Sequence, residues 1–336
     1  MNPDVAASPF STDAEALEAL DRGVAWSDRS NRSRLQVSGP DRARFLHNLT
    51  TNEVKRLPEG RGCEAFVTSP QGKTIGYVTL HAGPEHILVR ADAGGLALAL
   101  PHFQKYGVFD DVAIDDRSQQ TFEHHLVGPR APELLRSLGV DVPPEGDLTH
   151  HAATLAGKPV LVVRESPTGD PGLTLVGEAD DADPVKSTLF EAGKPLGLAR
   201  LSPTQFDALR VEAGTPEFGK DVTETNLPQE IDRDRRAINF VKGCYLGQET
   251  VARLDALGHV NKILRALDFE ADEPPAPGLA LESGGKAVGT ITSTALSLRS
   301  GRAIGLAIVR VSHAAPGTEL VYSGSLVARV RSLGAG

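Results

Sequence analysis

Only two cysteines, Cys63 and Cys244, occur among the 336 residues. That is too few for a disulfide framework, and free thiols in a cytoplasmic protein are the simple expectation. Positive charge is not in excess: 35 Lys and Arg stand against 44 Asp and Glu, a net charge of −9. A broad basic surface for nucleic acid is therefore not expected. No apolar run reaches the length of a membrane span. Met1 to Phe10 lacks the basic start and apolar core of a secretory signal. Neither His-x-x-x-His nor Cys-x-x-Cys occurs. The pairs His124-His125 and His150-His151 are adjacent, and neighbours on a strand point to opposite faces. No preformed metal site is expected, and two thiols are too few for a stable iron–sulfur cluster. A Walker-type phosphate loop, a Gly-x-Gly-x-x-Gly after a strand, low-complexity tracts and internal repeats are also missing.

What is present is an ordinary globular composition, 40% apolar and 24% charged, in a chain long enough for two or three domains. Thr12 to Arg22 reads as a helix, as does Leu96 to Tyr106. Ala65–Thr68 and Thr74–Leu80 read as strands of a hairpin turning through Ser69-Pro70-Gln71-Gly72-Lys73. Ser202-Pro203-Thr204-Gln205 is a helix start with the elements of a capping box, and Gly214 is its stop. From about Val260 short strands alternate with glycine and proline: 263–269, 287–294, 303–309 and 326–330. Gly284-Gly285 reads as a hairpin turn. This texture predicts a small closed β-structure, and the whole chain reads as α+β.

One octapeptide concentrates the chemistry: Lys242-Gly243-Cys244-Tyr245-Leu246-Gly247-Gln248-Glu249. An adjacent lysine and a following helix N-terminus both favour a thiolate, and the two glycines permit a tight loop. Val251, Leu254 and Leu257 carry a helical period that ends at Gly258.

This octapeptide resembles the signature of the YgfZ family, folate-binding proteins related to the T-protein (aminomethyltransferase) of glycine cleavage. The likeness extends to Arg210-Val211-Glu212-Ala213-Gly214-Thr215-Pro216, Phe218-Gly219-Lys220-Asp221 and Leu227-Pro228-Gln229-Glu230. Near the N-terminus it includes Leu35 to Asp41 and Phe45 to Val54. The resemblance implies a three-domain ring around a central folate cavity. Residues 1–257 would form the folate-binding α+β region, with domain 1 at about 1–55 plus 150–257 and domain 2 at about 56–149. Residues 258–336 would form the C-terminal β-barrel.

The implied function is that of an accessory protein for assembly or repair of iron–sulfur proteins, acting with tetrahydrofolate or a one-carbon derivative. Its partners would be iron–sulfur proteins or cluster-assembly factors, and its effects on tRNA modification indirect, with no direct contact to nucleic acid or membrane. Cys244 and Lys242 would carry the chemistry. Gly243, Tyr245, Gly247, Gln248, Glu249 and Arg253 would shape the loop or meet the partner. Glu212 is expected to accept hydrogen bonds from the N–H pair of a pterin, Tyr77 to stack on the ligand, and Arg233 and Arg236, beside Arg235, to hold a folate carboxylate. The alternative is a tetrahydrofolate-dependent aminomethyltransferase or demethylase. Against it, Gly76 and Tyr77 stand where the transferase carries an aspartate pair, and no acid occurs between Gly72 and Leu80.

Overall fold

The computed structural model describes residues 9–258 and 260–333. Three β units account for its architecture. The first sheet has six strands in the order Leu198–Arg200, Val24–Asp28, Thr121–Val127, Gly172–Glu178, Lys158–Glu165 and His150–Leu155. Its first pair is parallel and the rest are antiparallel. The second sheet has five antiparallel strands in the order Gly62–Thr68, Thr74–Ala82, His86–Ala91, Ser33–Ser38 and Ala113–Asp116. The third unit is a closed six-stranded barrel, Lys262–Phe269, Ala303–Arg310, Lys286–Leu296, Ala280–Ser283, Glu319–Tyr322 and Leu326–Arg331. It closes where Lys262–Phe269 pairs with Leu326–Arg331. The predicted α+β class with a C-terminal barrel is what the chain adopts. Two short barrel strands, Ala280–Ser283 and Glu319–Tyr322, escape the sequence pattern because each spans only four residues.

Local signals place most elements. The helix Asp13–Arg22 begins with a complete capping box between Thr12 and Glu15. The helix Pro203–Ala213 begins with another, between Ser202 and Gln205, and ends at Gly214 in the left-handed region. Gly284 and Gly285, with φ of 57° and 73°, make the turn of a barrel hairpin as expected.

Sheet pairing moves the expected unit boundaries. Ser33–Ser38 falls in the first unit by sequence, but it hydrogen-bonds between His86–Ala91 and Ala113–Asp116 in the second sheet. Thr121–Val127 falls in the second unit by sequence, but it lies between Val24–Asp28 and Gly172–Glu178 in the first sheet. The first sheet is thus interrupted by the second, with crossings near residues 30 and 120 rather than 55 and 150. Long-range pairing makes this choice, and local periodicity does not record it.

Two contact zones fix the units against one another. A buried apolar cluster joins Phe66 of the second sheet, Val211 of the helix Pro203–Ala213, Tyr245 of the octapeptide and Leu264 and Leu306 of the barrel. An ion network joins the two sheets. Arg90 meets Glu123 at 2.6 Å and Glu165 at 2.9 Å, and all three are almost wholly buried.

Candidate functional site

A cavity with an empty volume of about 870 Å³ opens between the two sheets and the segment that follows the helix Pro203–Ala213. On one wall Tyr77 and Glu64 project from neighbouring strands, where Phe66 pairs with Tyr77 and Glu64 with Thr79. The Tyr77 hydroxyl donates to Glu64, and its ring stacks on buried Phe66 with centroids 5.0 Å apart. Arg236 donates to Glu64 Oε1 at 2.6 Å and also bonds Asp147. Arg233 lines the same wall, and its Nε is buried without a hydrogen-bond partner among the described residues.

The opposite end holds Arg29 stacked over the Phe206 ring, 4.0 Å from the centroid, with Arg32, Asp92 and Glu217 nearby. Burial pulls the Arg29 guanidinium below its ordinary value. In the cavity lining, burial pushes Glu165 upward, but the charge and hydrogen bonds of Arg90 overcome it and leave the carboxyl at about 2. Buried His125 is drawn down to about 4 by desolvation, which keeps it neutral near pH 7.

The residues expected from the sequence divide into two places. Tyr77, Arg233 and Arg236 come together in the cavity, whereas Arg235 is exposed. Glu212 is not in the lining. Phe206 and Arg210 face the cavity at i, i+4, and Glu212 lies two residues further round the helix, toward the barrel. There it accepts from Ser297 Oγ at 3.0 Å, while its Oε2 is buried without a donor.

Cys244 is exposed in a separate shallow groove lined by Phe45, Asn48, Leu49, Tyr106, Asp110, Tyr245 and Leu246, none of which lines the cavity. Its expected lysine partner points elsewhere. Lys242 Nζ is buried and donates to the carbonyls of His47, Thr50 and Asn52 at 2.6, 2.6 and 2.7 Å. Burial draws this amine down to about 7, with the nearby Glu53 carboxylate opposing the shift. Three carbonyl acceptors match the three N–H groups of an ammonium, however, and that geometry favours the charged form. Lys242 thus caps carbonyls at and beyond the end of the helix Arg42–Leu49.

Within the octapeptide, Gly247 takes a left-handed φ of 85° to start the helix Gln248–Leu257, whereas Gly243 has no positive φ. Tyr245 is buried, and the Gln248 side chain accepts from its backbone N–H at 3.3 Å. Glu249 and Arg253 are exposed.

Sequence reading missed Glu64, Asp92, Glu123, Glu165, Arg29, Arg32, Arg90 and Phe206. The available signal was a charge inside a short apolar strand, such as Arg90 in His86–Ala91 or Glu123 in Thr121–Val127. A strand residue facing other protein must pair its charge, so such a position predicts a buried network. Among the described residues no group of three or more His, Cys, Asp or Glu side chains is arranged to hold a metal ion. No described helix is long and apolar enough to cross a membrane.

Comparison with known proteins gives a consistent result. Residues 7–241 match the GCVT N-terminal domain, and residues 262–324 match the glycine cleavage T-protein C-terminal barrel domain. A chloroplastic protein of Arabidopsis thaliana named as a transferase is 32% identical over 301 residues, 87% of this chain and 67% of its own. The aminomethyltransferase of Streptomyces avermitilis is 31% identical over 299 residues, covering 87% of this chain and 79% of its own. In fold, the chain is similar to the glycine cleavage system aminomethyltransferase T of Bartonella henselae. The TM-score is 0.87 at 18% identity, over 97% of this chain and 89% of that one. These matches support the wider superfamily and do not single out its YgfZ branch. With both of its characteristic units matched in order, the chain belongs to the GCVT family, pairing a GCVT N-terminal domain with a T-protein barrel.

Proposed function

We propose that the protein is a tetrahydrofolate-dependent one-carbon transferase working at the central cavity. The observation that carries this reading is the cavity wall, where Tyr77, Glu64 and an Arg233 without an ion-pair partner among the described residues are gathered on one side of the cavity. Relatives named aminomethyltransferase support it, and the GCVT family uses tetrahydrofolate.

An unmatched polar atom fits such a ligand. A folate tail ends in carboxylates, and Arg233 has donors to spare for one. A pterin presents a ring N–H beside an amine. Glu212, the carboxylate expected for that pair, keeps a buried Oε2 with no donor but faces the barrel outside the lining, so a ligand confined to this cavity does not reach it. When bound, a reduced folate supplies a nucleophilic amine that accepts or releases a one-carbon unit. The chain's own residues then have separable roles. Tyr77 accepts a hydrogen bond from the amine N–H at its phenol oxygen, and Glu64, accepting the phenol's own O–H, keeps that oxygen turned to the ligand as an acceptor. Arg236 fixes Glu64, and Arg29 over Phe206 closes the far end from water. Gly76 and Tyr77 leave the hairpin strand without the acid a transferase would carry there. Glu64, one strand over, supplies a carboxylate to that place.

The direct test is calorimetric titration of tetrahydrofolate into the wild type, Arg233→Ala and Glu212→Ala, with turnover measured on an aminomethyl-lipoyl donor. Binding in the wild type, weakened at least tenfold by Arg233→Ala, together with turnover, is the expected result. Glu212→Ala should leave binding nearly unchanged, and equal weakening would instead assign the pterin N–H pair to that carboxylate. Absence of folate binding would end this reading.

A second reading keeps the folate but changes its use, making the protein an accessory factor for assembly or repair of iron–sulfur proteins. It would reach tRNA modification indirectly and work in the cytoplasm. One observation favours it, the exposed Cys244 in a groove apart from the cavity. Folate binding without turnover, with loss of iron–sulfur enzyme activity in cells carrying Cys244→Ser, would select it.

A further inference from the structure

The direction of one hydrogen bond on the cavity wall selects which ligand fits there. Tyr77 Oη donates to Glu64 Oε2. The other oxygen of Glu64 accepts Arg236 Nε at 2.6 Å, and the same guanidinium bonds Asp147. All four side chains line the cavity. A carboxylate in a salt bridge only accepts hydrogen bonds, whereas a phenol has one proton and two lone-pair sites. Arg236 therefore fixes Glu64 as the acceptor, and Glu64 takes the single proton that Tyr77 can give. Burial raises the phenol well above 10, so the proton stays on that oxygen. Among the described residues none donates to Tyr77 Oη, and the stack on Phe66 holds the ring in place. What remains for the cavity is an oxygen that offers lone pairs alone.

We propose that the Glu64–Tyr77 pair makes this cavity selective for the reduced form of a pterin ring over the oxidised form. The inference rests on the folate reading above and deepens it. A tetrahydropterin carries N–H donors at ring positions 5 and 8, while the oxidised aromatic ring has bare nitrogens there that only accept. An acceptor-only phenol oxygen forms a hydrogen bond with the first and sets lone pair against lone pair with the second. Sites built to match a particular donor reject analogues that lack it, because a buried polar group is then left unpaired.

The same geometry predicts the effect of a one-atom change. In Glu64→Gln the amide oxygen stays with the donors of Arg236, which turns the amide NH₂ toward Tyr77. The phenol then accepts from glutamine, and its own proton points into the cavity. With a proton and one lone pair then available to the cavity, the preference for the reduced ring should be lost while size and shape are conserved.

The experiment measures dissociation constants for tetrahydrofolate and folic acid, anaerobically, on the full chain as wild type, Glu64→Gln and Tyr77→Phe. Melting curves check that each variant is folded. In the wild type, tetrahydrofolate should bind roughly tenfold or more tightly than folic acid. Glu64→Gln should lower that ratio at least tenfold, and Tyr77→Phe should bring the two ligands within about threefold of each other. If Glu64→Gln does not fold, Tyr77→Phe decides alone. A ratio unchanged in the folded variants, with tetrahydrofolate still bound, overturns the selectivity and leaves the folate reading standing. If neither ligand binds the wild type, both fall together.

Discussion

Gly247 and Gly72 meet backbone to backbone. A methyl group added to Gly247 would lie 3.0 Å from Gly72 Cα, and one added to Gly72 would lie 3.1 Å from the Gly247 carbonyl oxygen. Both residues have left-handed φ, 85° and 75°. The contact presses the octapeptide onto the turn of the hairpin whose second strand carries Tyr77. Thr68 reinforces it by donating to the Leu246 carbonyl at 2.6 Å.

Gly247→Ala should therefore destabilise the protein by about 1–3 kcal/mol from backbone strain alone, with the clash adding to it. Gly243→Ala should stay within about 0.5 kcal/mol, since its added carbon would come no closer than 3.8 Å to His47. Urea denaturation of the two variants checks the contrast. Equal losses would contradict the assignment of the close approach to Gly247.

Arg90→Ala should cost about 3–5 kcal/mol, because it strands the buried carboxylates Glu123 and Glu165 without their guanidinium. The pH dependence has a definite sign. Glu165 is depressed to about 2 from 4.5, so its contribution is present above pH 4.5 and is lost as pH falls toward 2. The gap between wild type and variant should narrow across that window. Denaturation followed from pH 7 down to pH 3 measures it.

Asp234 behaves in the opposite sense. Burial, with Asp232 and Asp255 nearby, raises its carboxyl from 3.8 to about 6, and its Oδ1 is buried without a donor. The folded state holds the proton more tightly, so stability is full below pH 3.8 and declines as pH rises through 6. Asp234→Asn should raise the melting temperature at pH 7.5, and the gain should fade toward pH 4. A gain that is constant with pH would contradict this origin.

The two thiols should separate cleanly. Burial pushes Cys63 up to about 12, whereas Cys244 is exposed. Native protein should react with one equivalent of an aromatic disulfide reagent quickly, and with a second only after unfolding. Cys244→Ser should abolish the fast phase.

Much of the secondary structure is legible because its causes are local. Thr12 with Glu15, and Ser202 with Gln205, announce their helices through hydrogen bonds spanning three residues. Gly258 and Gly214 mark the ends by the φ they alone tolerate easily. Tyr77, Arg233 and Arg236 stand out in the sequence as ligand-binding candidates, and the fold brings them to one wall. Lys242 stands out for its neighbour in sequence, yet its ammonium serves carbonyls 190 to 195 positions away.

The sequence by itself determined the class of structure, the capped helices, the octapeptide loop and the scarcity of metal-binding and disulfide patterns. These follow from composition and from interactions within a few residues. Tertiary structure alone decided that strand Ser33–Ser38 joins the second sheet, that Glu64 stands beside Tyr77, and that Cys244 and the cavity lie apart. Those outcomes depend on which distant strands pair and which faces are buried together. They are settled by packing and by pairing charges away from water, neither of which leaves a short-range mark in the chain.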